Sequence, residues 1–229
     1  MVTLMQRRRD MMRLTSISPT PTPSINDYVQ DGIIFWLDGI ENTRSGHNAS
    51  ATRWEDLSDN PLYFTYNNDS VIGDKYCIPN GKMAGTSRVT STTESYTIEI
   101  VMELSTLEQQ MLLPWKGNAY GTIWVRGSAT PPVLAFSSGN NDGVKGVEIV
   151  SGINTYTARG LSNMMVNGIA STIMSSSASW ASQFSQIGYY NSAYPRNATS
   201  KYYAIRIYNR ILTDAEVAIN VAVDTARFN

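Results

Sequence analysis

Two glutamates four residues apart, Glu99 and Glu103, are the residues of this sequence that could act as a pair of carboxylates in catalysis. They lie in residues 96–104 (YTIEIVMEL), which show the cleanest alternation in the chain. Alternation predicts a β-strand, and residues i and i+4 of a strand share one face. Two carboxylates on one face can hydrolyse a glycosidic bond, one as nucleophile and the other as general acid/base. An acidic solvent-facing strand surface is the alternative, because it gives the same spacing.

Other catalytic or metal-binding arrangements have little support. The chain contains one histidine, His47, and one cysteine, Cys77. One residue of each type cannot form a Cys/His metal cluster, and Cys77 is predicted to be a small core hydrophobe. His47 lies in a polar loop (residues 41–53) with no nucleophile signature nearby. No phosphate-binding glycine loop or dinucleotide fingerprint occurs.

The composition favours a single all-β domain. Of 229 residues, 42% are hydrophobic and only 16% are charged, so the chain can bury a core while its surface relies on Ser, Thr, Asn, Gly and Tyr. The formal net charge is −1, so no global field attracts nucleic acid. No segment approaches the length of a transmembrane helix, and the arginine-rich start lacks the apolar region of an export signal. We expect neither nucleic-acid nor membrane partners.

Short apolar or alternating runs, separated by turn residues, recur along the chain. Residues 139–143 (GNNDG) supply turn chemistry, and the Ser- and Ala-rich residues 171–182 predict a loop. Many short strands with essentially one helix predict an all-β fold, an antiparallel β-sandwich. Besides the strand near the C-terminus, the predicted strands are residues 32–37, 63–66, 89–91, 96–104, 121–126, 132–137, 147–150, 156–161, 164–166 and 184–189.

Residues 201–220 (KYYAIRIYNRILTDAEVAIN) predict a strand, a tight corner and a short helix. Alternation places residues 203, 205 and 207 on one buried face. Thr213, with Glu216 three residues later, predicts a capping box at the start of the helix. Leu212 and Val217 have the spacing of a hydrophobic staple that fastens this helix to the preceding segment.

Four motifs resemble, in order, the concanavalin A-like lectin/glucanase fold in its laminin-G-like form. Residues 32–39 (GIIFWLDG) resemble the opening strand of that fold. Residues 54–60 (WEDLSDN) resemble its W-x-D-L-S-G-N turn, with Asp59 in the place of the glycine. Residues 165–168 (MVNG) resemble the V-N-G hairpin, and residues 205–217 resemble the closing strand and helix. The resemblance covers roughly residues 30–223 and implies a concanavalin A-like jelly roll, a fold that hosts lectins, hydrolases and inert modules alike.

The resemblance also bears on activity and on metals. Retaining glucanases of this fold carry an aspartate between their two glutamates, and Val101 stands there in this chain. Without that aspartate, the group that orients the nucleophile is missing. We therefore predict no enzymatic activity, with a glycoside hydrolase as the alternative. Some laminin-G-like domains bind calcium, but turn and cap roles are favoured here, so no cofactor is predicted. The candidate calcium ligands are Asp38, Asp56, Asp59, Asp69 and Asp74.

Aromatic side chains in or beside the predicted loops are candidates for stacking on sugar rings. Tyrosine and tryptophan also favour cores and subunit interfaces, so packing is the alternative role for these residues. The candidate sugar-binding residues are Trp115, Tyr120, Trp180 and Tyr190, with Trp124, Tyr189 and Tyr194 as further aromatics of the same kind.

The N-terminal residues form a distinct segment. We predict that residues 1–24 are a tether and that residues 25–229 are the lectin-like domain. Residues 18–23 (SPTPTP) alternate with proline, which forbids a helix and favours an extended polyproline II spacer. Before this spacer lies an apolar and basic segment that we expect to bind a partner. Its candidate contact residues are Leu4, Met5, Arg7, Arg8, Arg9, Met11, Met12 and Arg13.

Taken together, these features predict a non-catalytic structural protein of a bacteriophage virion. The N-terminal segment also resembles the openings of structural proteins of tailed phages. We expect an accessory protein on the head surface, anchored on the capsid shell by its N-terminal arm and present as a homo-oligomer or in many copies. The displayed domain would touch host glycans or reinforce the shell. The alternative is a carbohydrate-binding adhesin, on a phage tail or fibre or on a cell surface.

Overall fold

The computed structural model describes residues 21–91, 95–114, 121–137, 144–160, 163–174, 182–188 and 198–229. Within these residues, a 3₁₀ turn at Ile25–Asp27 precedes the strands and one α-helix, α1 (Asp214–Phe228), follows them. The strands are β1 (Ile33–Asp38), β2 (Arg53–Glu55), β3 (Tyr63–Thr65), β4 (Val71–Ile72), β5 (Cys77–Ile78), β6 (Met83–Ser91), β7 (Thr97–Glu103), β8 (Gln110–Pro114), β9 (Gly121–Arg126), β10 (Val133–Ser137), β11 (Val144–Glu148), β12 (Ile153–Arg159), β13 (Asn163–Val166), β14 (Ile169–Ala170), β15 (Thr172–Met174), β16 (Ser182–Ile187) and β17 (Lys201–Tyr208).

The strands form two layers. One layer is an eight-stranded sheet in the order β14-β13-β12-β7-β17-β5-β4, with β1 also paired to β17. The other layer contains a five-stranded sheet, β15-β11-β10-β9-β8, and a four-stranded sheet, β16-β6-β3-β2. The N–H of Gly188 donates to the carbonyl of Leu112 at 2.9 Å, so the two smaller sheets adjoin where β16 ends beside β8. This architecture confirms the predicted all-β antiparallel sandwich.

The main core lies between the two layers. Ile98, Ile100 and Met102 of β7 face it, as the alternation of residues 96–104 predicts. Leu134 and Phe136 contribute from β10 in the opposite layer. Thr97, Glu99 and Val101 take the other face of β7, and that face is also buried, because α1 and the N-terminal residues from Tyr28 cover it. Only one of the two faces of β7 therefore belongs to the sandwich core.

Most of the predicted strands lie where the structure has strands, but their lengths often differ. Residues 121–126 coincide with β9, whereas residues 89–91 are only the end of the nine-residue β6. The predicted loop at residues 171–182 is wrong at both ends, because it contains β15 and the first residue of β16. The sequence did not predict β8, whose residues follow a polar turn. The predicted turn at residues 139–143 lies outside the described residues.

Strand β17 corrects the predicted alternation near the C-terminus. Its pairing with β7 shifts between Tyr202 and Ala204, as at a β-bulge. One extra residue in a strand reverses the faces of the side chains on either side of it. Consequently Tyr202 joins Ile205 in the main core, while Tyr203 packs with Ala204 on the face covered by α1. The prediction that Tyr203 shares the face of Ile205 was therefore wrong.

The motifs near β1 and in the β13–β14 hairpin form the local structures that they predict. Asp56 accepts hydrogen bonds from the backbone N–H groups of Trp36 and Ser58, each at 2.9 Å, which fastens the turn after β2 to β1. Asn167 and Gly168 both have positive φ, +51° and +77°, as a two-residue turn between β13 and β14 requires. The first turn thus connects β1 to the segment after β2, and the second connects β13 to the edge strand β14.

The predicted capping box is present at the start of α1. Thr213 accepts a hydrogen bond from the N–H of Glu216, and the Glu216 carboxylate accepts one from the N–H of Thr213. Leu212 and Val217 pack in one cluster, as the predicted staple requires. The helix is longer than predicted, because it continues through 15 residues to Phe228.

A second capping box fixes the start of the predicted domain, the part of the chain from residue 25 that we also call the body. Ser24 caps the 3₁₀ turn Ile25–Asp27, and the Asp27 carboxylate accepts the N–H of Ser24 at 2.6 Å. This cap coincides with the predicted boundary between residues 24 and 25. The division into a tether and a domain stays a prediction, because residues 1–20 lie outside the described residues.

Candidate functional site

Glu99 and Glu103, the candidate carboxylate pair, lie on one face of β7, but their surroundings differ. Glu99 is fully buried, and its Oε2 accepts Arg206 Nε at 3.0 Å and Asn220 Nδ2 at 2.8 Å. Burial raises the pKa of Glu99, and the nearby Arg206 guanidinium opposes that rise. A carboxylate enclosed in this way cannot reach a saccharide, so the hypothesis of a Glu99/Glu103 catalytic pair lacks the required geometry.

Glu103 stands at the surface end of the same strand. Its Oε2 accepts Lys201 Nζ at 2.8 Å and the hydroxyl of Tyr203 at 3.3 Å. The hydrogen bond from Lys201 lowers the pKa of Glu103. Burial, with the negative charge of Glu103 and the hydrogen bond to it, raises the pKa of Tyr203 to about 12. Glu103 is therefore a paired surface carboxylate rather than a general acid with a raised pKa.

A buried charge cluster occupies the face of the eight-stranded sheet beneath α1. Arg206 is at its centre and donates to both oxygens of Asp224, from Nη1 at 2.8 Å and from Nη2 at 2.6 Å. Thr155 donates to Asp224 Oδ2 at 2.8 Å. A buried ion pair is tolerated when its remaining polar atoms are hydrogen-bonded in this way. We define the buried charge cluster as Tyr28, Glu99, Thr155, Arg206, Tyr208, Asn220 and Asp224.

Tyr28 connects the beginning of the body to this cluster. Its hydroxyl donates to Asp224 Oδ1 at 2.8 Å, and its ring lies 4.3 Å from the Arg206 guanidinium carbon. The ring also contacts Trp36 edge to face, with centroids 5.4 Å apart. The next residue, Val29, donates its N–H to Asn220 Oδ1 at 3.0 Å. The chain that precedes Tyr28 therefore starts from a rigidly held point.

Two of the candidate calcium ligands have structural partners. Asp38 is fully buried, and its Oδ1 accepts the N–H groups of Ile40 and Glu41 and Arg227 Nη2 at 3.0 Å. Burial raises the pKa of Asp38, and Arg227 opposes that rise. The other, Asp56, holds the turn after β2. Both carboxylates serve as the turn and cap groups that the sequence favoured.

The other calcium candidates are separated along the chain. Asp59 and Asp74 lie in loops, and the N–H of Asp69 donates to Asn67 Oδ1 in a local turn. In the part of the chain that the structure describes, no group of three or more His, Cys, Asp or Glu side chains is placed to hold a metal ion. The structure thus brings none of the five aspartates together as a metal centre within that part.

The aromatic candidates for sugar binding remain predictions. Trp115, Tyr120, Trp180 and Tyr190 lie outside the described residues, as do Tyr189 and Tyr194. Trp124 is described and is only 4% exposed, packed beside Val133 and Ala135. Trp124 therefore has the packing role that was its alternative.

Cys77 lies in the core and His47 lies at the surface. Cys77 is buried as a free thiol, with its Sγ 3.8 Å from Met83 Sδ, which confirms its role in the core. His47 is at the surface, and its Nδ1 lies 3.0 Å from the carbonyl of Ile40. No helix among the described residues has both the length and the apolar character needed to cross a membrane. The N-terminal contact candidates, from Leu4 to Arg13, lie outside the described residues.

A surface pocket of about 350 Å³ beside β2 and β3 is a site that the sequence analysis missed. Trp54 and Phe64 point into the core and are at most 1% exposed. Because strand side chains alternate, Arg53, Glu55 and Tyr63 point outward. The register places Glu55 opposite Tyr63, and the R-W-E and Y-F-T triplets are the signal that could have revealed the site. We call this the arginine–tyrosine pocket, lined by Arg44, Arg53, Glu55, Pro61, Leu62 and Tyr63.

Hydrogen bonds hold the charged groups of this pocket in place. Arg53 donates from Nε at 2.8 Å and from Nη2 at 2.7 Å to Glu55 Oε1, and its guanidinium lies 4.7 Å from the ring centroid of Tyr63. Arg44 Nη2 donates to the carbonyls of Ser58 and Asn60. The backbone N–H of Arg44, together with Arg53, lowers the pKa of Glu55. The pocket therefore carries two guanidinium groups and one carboxylate.

A second pocket, of about 450 Å³, lies where two loops meet. It is formed by residues 106–109 after β7, by Gly127 and Ser128 after β9, and by Pro132. Leu107 is half-exposed at this place. Among its lining side chains only Glu108 carries a charge, so this pocket offers fewer groups for a polar ligand than the arginine–tyrosine pocket does.

Comparisons with protein-family models and with curated proteins find no match. The chain is similar in structure to a Trypanosoma rangeli sialidase, with a TM-score of 0.53 at 13% identity, covering 98% of this chain and 38% of the sialidase. A complex of that sialidase with 2,3-difluorosialic acid gives a TM-score of 0.58 at 12% identity, covering 92% of this chain and 37% of the other. A mutant of HCR/D gives 0.58 at 10% identity, covering 83% and 51%.

These comparisons concern the fold. At such low identity, similarity in structure shows that the chain shares a β-sandwich with these proteins. The chain spans about a third to a half of the length of each of them. Any activity that their names state belongs to them, and a role for this chain has to be argued from its own residues.

Proposed function

We propose that the chain is a non-catalytic structural protein of a bacteriophage virion. In this role it is a concanavalin A-like, laminin-G-like domain on the head surface, held by its N-terminal residues. The observation that carries the proposal is the anchoring of Tyr28 in the buried charge cluster. A disordered tail does not require a buried residue where it joins the domain, whereas a tether that transmits force or fixes orientation does.

The residues before Tyr28 have the composition of an anchor. Prolines at 19, 21 and 23 favour an extended spacer, and the residues before it combine methionine with arginine. Methionine adapts to irregular apolar surfaces, and arginine forms bidentate bonds with carboxylates. In this proposal the partner is the assembled capsid shell. Leu4, Met5 and Met12 would contact its apolar surface, and Arg7, Arg8, Arg9 and Arg13 would bind its acidic groups.

A binding assay with particles of the phage that encodes the chain tests this proposal. The full chain should cosediment with those particles, and a variant lacking residues 1–23 should remain in the supernatant. Truncation at residue 23 keeps Ser24, so the capping box and the Tyr28 contacts stay intact. A second test variant replaces Arg7, Arg8 and Arg9 by glutamine in the full-length chain, which removes charge at constant length.

The expected result is loss of cosedimentation in both variants, with unchanged thermal melting. If the truncated chain binds particles as well as the full chain does, the anchor is elsewhere and the proposal fails. Mass spectrometry of purified virions gives a second outcome. If the chain is missing from intact virions, the structural role is wrong regardless of the sedimentation result.

A second candidate function is binding of carbohydrate, as an adhesin on a tail, a fibre or a cell surface. Two observations favour it: the arginine–tyrosine pocket at the surface and the similarity in fold to sialidase structures. A glycan array probed with the full chain should show saturable binding to a restricted set of glycans. Uniform background across the array would remove the adhesin role and leave the first proposal standing.

A further inference from the structure

We propose that the arginine–tyrosine pocket binds an acidic saccharide, a sugar that carries a carboxylate. This inference rests on the carbohydrate-binding role proposed above and names the ligand class and the residues for it. The pocket volume of about 350 Å³ lies within the range of about 300–1,000 Å³ that small-molecule sites occupy. One monosaccharide unit fits such a volume, and the rest of the saccharide would lie in solvent.

The charge of the pocket favours an anion. Its lining contains the guanidinium groups of Arg44 and Arg53 and the carboxylate of Glu55. Arg44 Nη2 is held by two neutral carbonyl oxygens, at 2.6 and 2.7 Å, so the Arg44 charge is not cancelled by these contacts. The lining therefore has an excess of one positive charge, and a neutral sugar would leave that charge without a counter-charge.

The geometry of Arg53 selects a carboxylate. Glu55 Oε1 occupies the edge of the guanidinium formed by Nε and Nη2. The opposite edge, formed by Nη1 and the second hydrogen of Nη2, has the spacing for a second bidentate acceptor. The Arg53 side chain is 49% exposed, and among the described residues no acceptor is recorded on that second edge. A ligand carboxylate would complete the pattern.

The guanidinium is also held ready for the ligand. It lies 4.7 Å from the ring centroid of Tyr63, and Glu55 fixes the edge that Nε and Nη2 form. An arginine held in a single orientation loses less side-chain entropy on binding than a mobile one does. The carboxylate of Glu55 has the further use of accepting a sugar hydroxyl near the bound acid.

The apolar part of the lining completes the match to a sugar. Pro61, Leu62 and Tyr63 supply the apolar part of the lining. Saccharide rings carry faces of C–H groups that pack against apolar side chains, while their hydroxyls need polar partners. A free inorganic anion would use the arginines and leave the apolar side chains uncovered, so the lining fits a molecule with both a carboxylate and a carbon ring.

Isothermal titration calorimetry of the full chain tests the inference. The probes are a methyl glucuronide, the matched methyl glucoside in which a hydroxymethyl replaces the carboxylate, and acetate. The glucuronide should bind, the glucoside should bind at least about tenfold more weakly, and raising the salt concentration should weaken binding of the glucuronide. Arg53→Gln should weaken it at least about tenfold, because it removes a charged donor pair.

The control variant is Arg126→Gln, which removes a partly buried arginine of β9 in the other small sheet. It should leave glucuronide binding unchanged, and melting curves should show that both variants fold. Tyr63→Leu gives a second variant at the pocket, and it should weaken binding without changing the net charge. Binding that survives in both Arg53→Gln and Tyr63→Leu would place the site elsewhere and overturn the inference.

The remaining outcomes are also decisive. Equal binding of glucuronide and glucoside would show that the carboxylate is not recognised. Equal binding of acetate and glucuronide would show that the pocket takes any small anion. Either result overturns the inference, as does failure of the glucuronide to bind. In each case, specific binding of neutral glycans on the array would still preserve the carbohydrate-binding role, and the virion assay would be unaffected.

Discussion

Arg206 Nη2 lies 2.6 Å from Asp224 Oδ2, and this contact joins the central strand β17 to the C-terminal helix α1. Both side chains are at most 2% exposed. Glu99 shares the same guanidinium from the neighbouring strand β7, so one arginine holds two carboxylates. The helix is therefore attached to the sheet by charge as well as by apolar contact. Tyr28, near the start of the domain, donates its hydroxyl to the same Asp224 carboxylate.

This arrangement predicts a large loss of stability for Arg206→Ala. The substitution leaves two carboxylates buried without their counter-charge, which costs about 3–5 kcal/mol of the free energy of unfolding. Urea denaturation followed by far-UV circular dichroism measures it. The control is Arg53→Ala, whose ion pair with Glu55 is half-exposed and contributes about 0–1 kcal/mol. Equal losses in the two variants would mean that the buried charge cluster does not stabilise the fold.

The sequence predicted the elements whose pattern depends on neighbouring residues in the chain. Alternation at 96–104 was sufficient for β7, and Thr213 with Glu216 was sufficient for the start of α1. The V-N-G turn followed from Asn167 and Gly168, since both residue types tolerate positive φ. Each of these features is fixed by local steric or hydrogen-bonding rules, so each could be predicted without knowledge of the partner strands.

The length of α1 could not be predicted in the same way. Its buried face carries Asn220, Asp224 and Arg227, and polar residues at core positions interrupt the apolar periodicity that indicates a helix. They are buried because β7, β17 and β1 supply Glu99, Arg206 and Asp38 as partners. Those partners lie up to 189 residues away in the chain, and no local pattern announces such pairs.

The same long-range pairing explains why the spacing of Glu99 and Glu103 could not decide the role of these two residues. Glu99 and Glu103 have the spacing of a catalytic pair, but spacing does not state whether a helix covers the face. The arginine–tyrosine pocket was missed for a different reason. Alternation in the two short strands β2 and β3 places Arg53, Glu55 and Tyr63 on the outward face, but it does not show that the loop residue Arg44 joins them to enclose a pocket.

The ion pair between Arg210 and the capping residue Glu216, at the start of α1, predicts a pH-dependent contribution to stability. The hydrogen bonds from Arg210 lower the pKa of Glu216 from 4.5 to about 2. The folded state therefore favours the carboxylate, so the contribution is present above the ordinary pKa and is lost as the pH falls from 4.5 towards 2. Because the side chain is 25% exposed, solvent screening limits the contribution to about 1 kcal/mol.

Glu216→Gln should therefore flatten the fall of the unfolding free energy between pH 5 and pH 2. Urea denaturation at a series of pH values measures the slope. Glu108→Gln, at an exposed position in the loop after β7, is the control and should keep the slope of the unmodified chain. An unchanged slope in Glu216→Gln would show that Arg210 does not hold this carboxylate in solution.

The anchoring of Tyr28 predicts where the chain can be shortened. Removal of residues 1–23 should leave the melting temperature unchanged, whereas removal of residues 1–30 should lower it sharply, because it removes the Tyr28 ring from a buried site. Tyr28→Phe should cost about 1.5–3 kcal/mol, because it deletes a buried hydrogen bond to a charged group. Tyr63→Phe, at a half-buried surface position, is the matched control and should change stability by less than about 0.5 kcal/mol.

These truncations also test the predicted division between a tether at residues 1–24 and a domain at residues 25–229. A stability loss on removal of residues 1–23 would mean that the tether packs on its own body. Full stability after removal of residues 1–30 would mean that the contacts of Tyr28 and Val29 do not form in solution.

The positions of the five candidate aspartates predict that calcium does not stabilise the domain. The buried pair, Asp38 and Asp56, already accept backbone and arginine donors that a cation would have to displace. Thermal melting in millimolar calcium should match melting in EDTA. A ligand that binds only the folded state raises the unfolding free energy with its concentration, so a calcium-dependent rise in the melting temperature would contradict this prediction.

The enclosure of Glu99 predicts that this chain does not hydrolyse β-glucans. A retaining mechanism needs two carboxyl groups about 5–5.5 Å apart and open to the same saccharide. Glu99 is fully buried against Arg206 and Asn220, and Glu103 is paired with Lys201. Incubation of the full chain with β-glucan should therefore release no reducing ends above the level of a heat-denatured sample. Release that disappears in the Glu99→Gln, Glu103→Gln double variant, with melting shown to be intact, would establish the hydrolase instead.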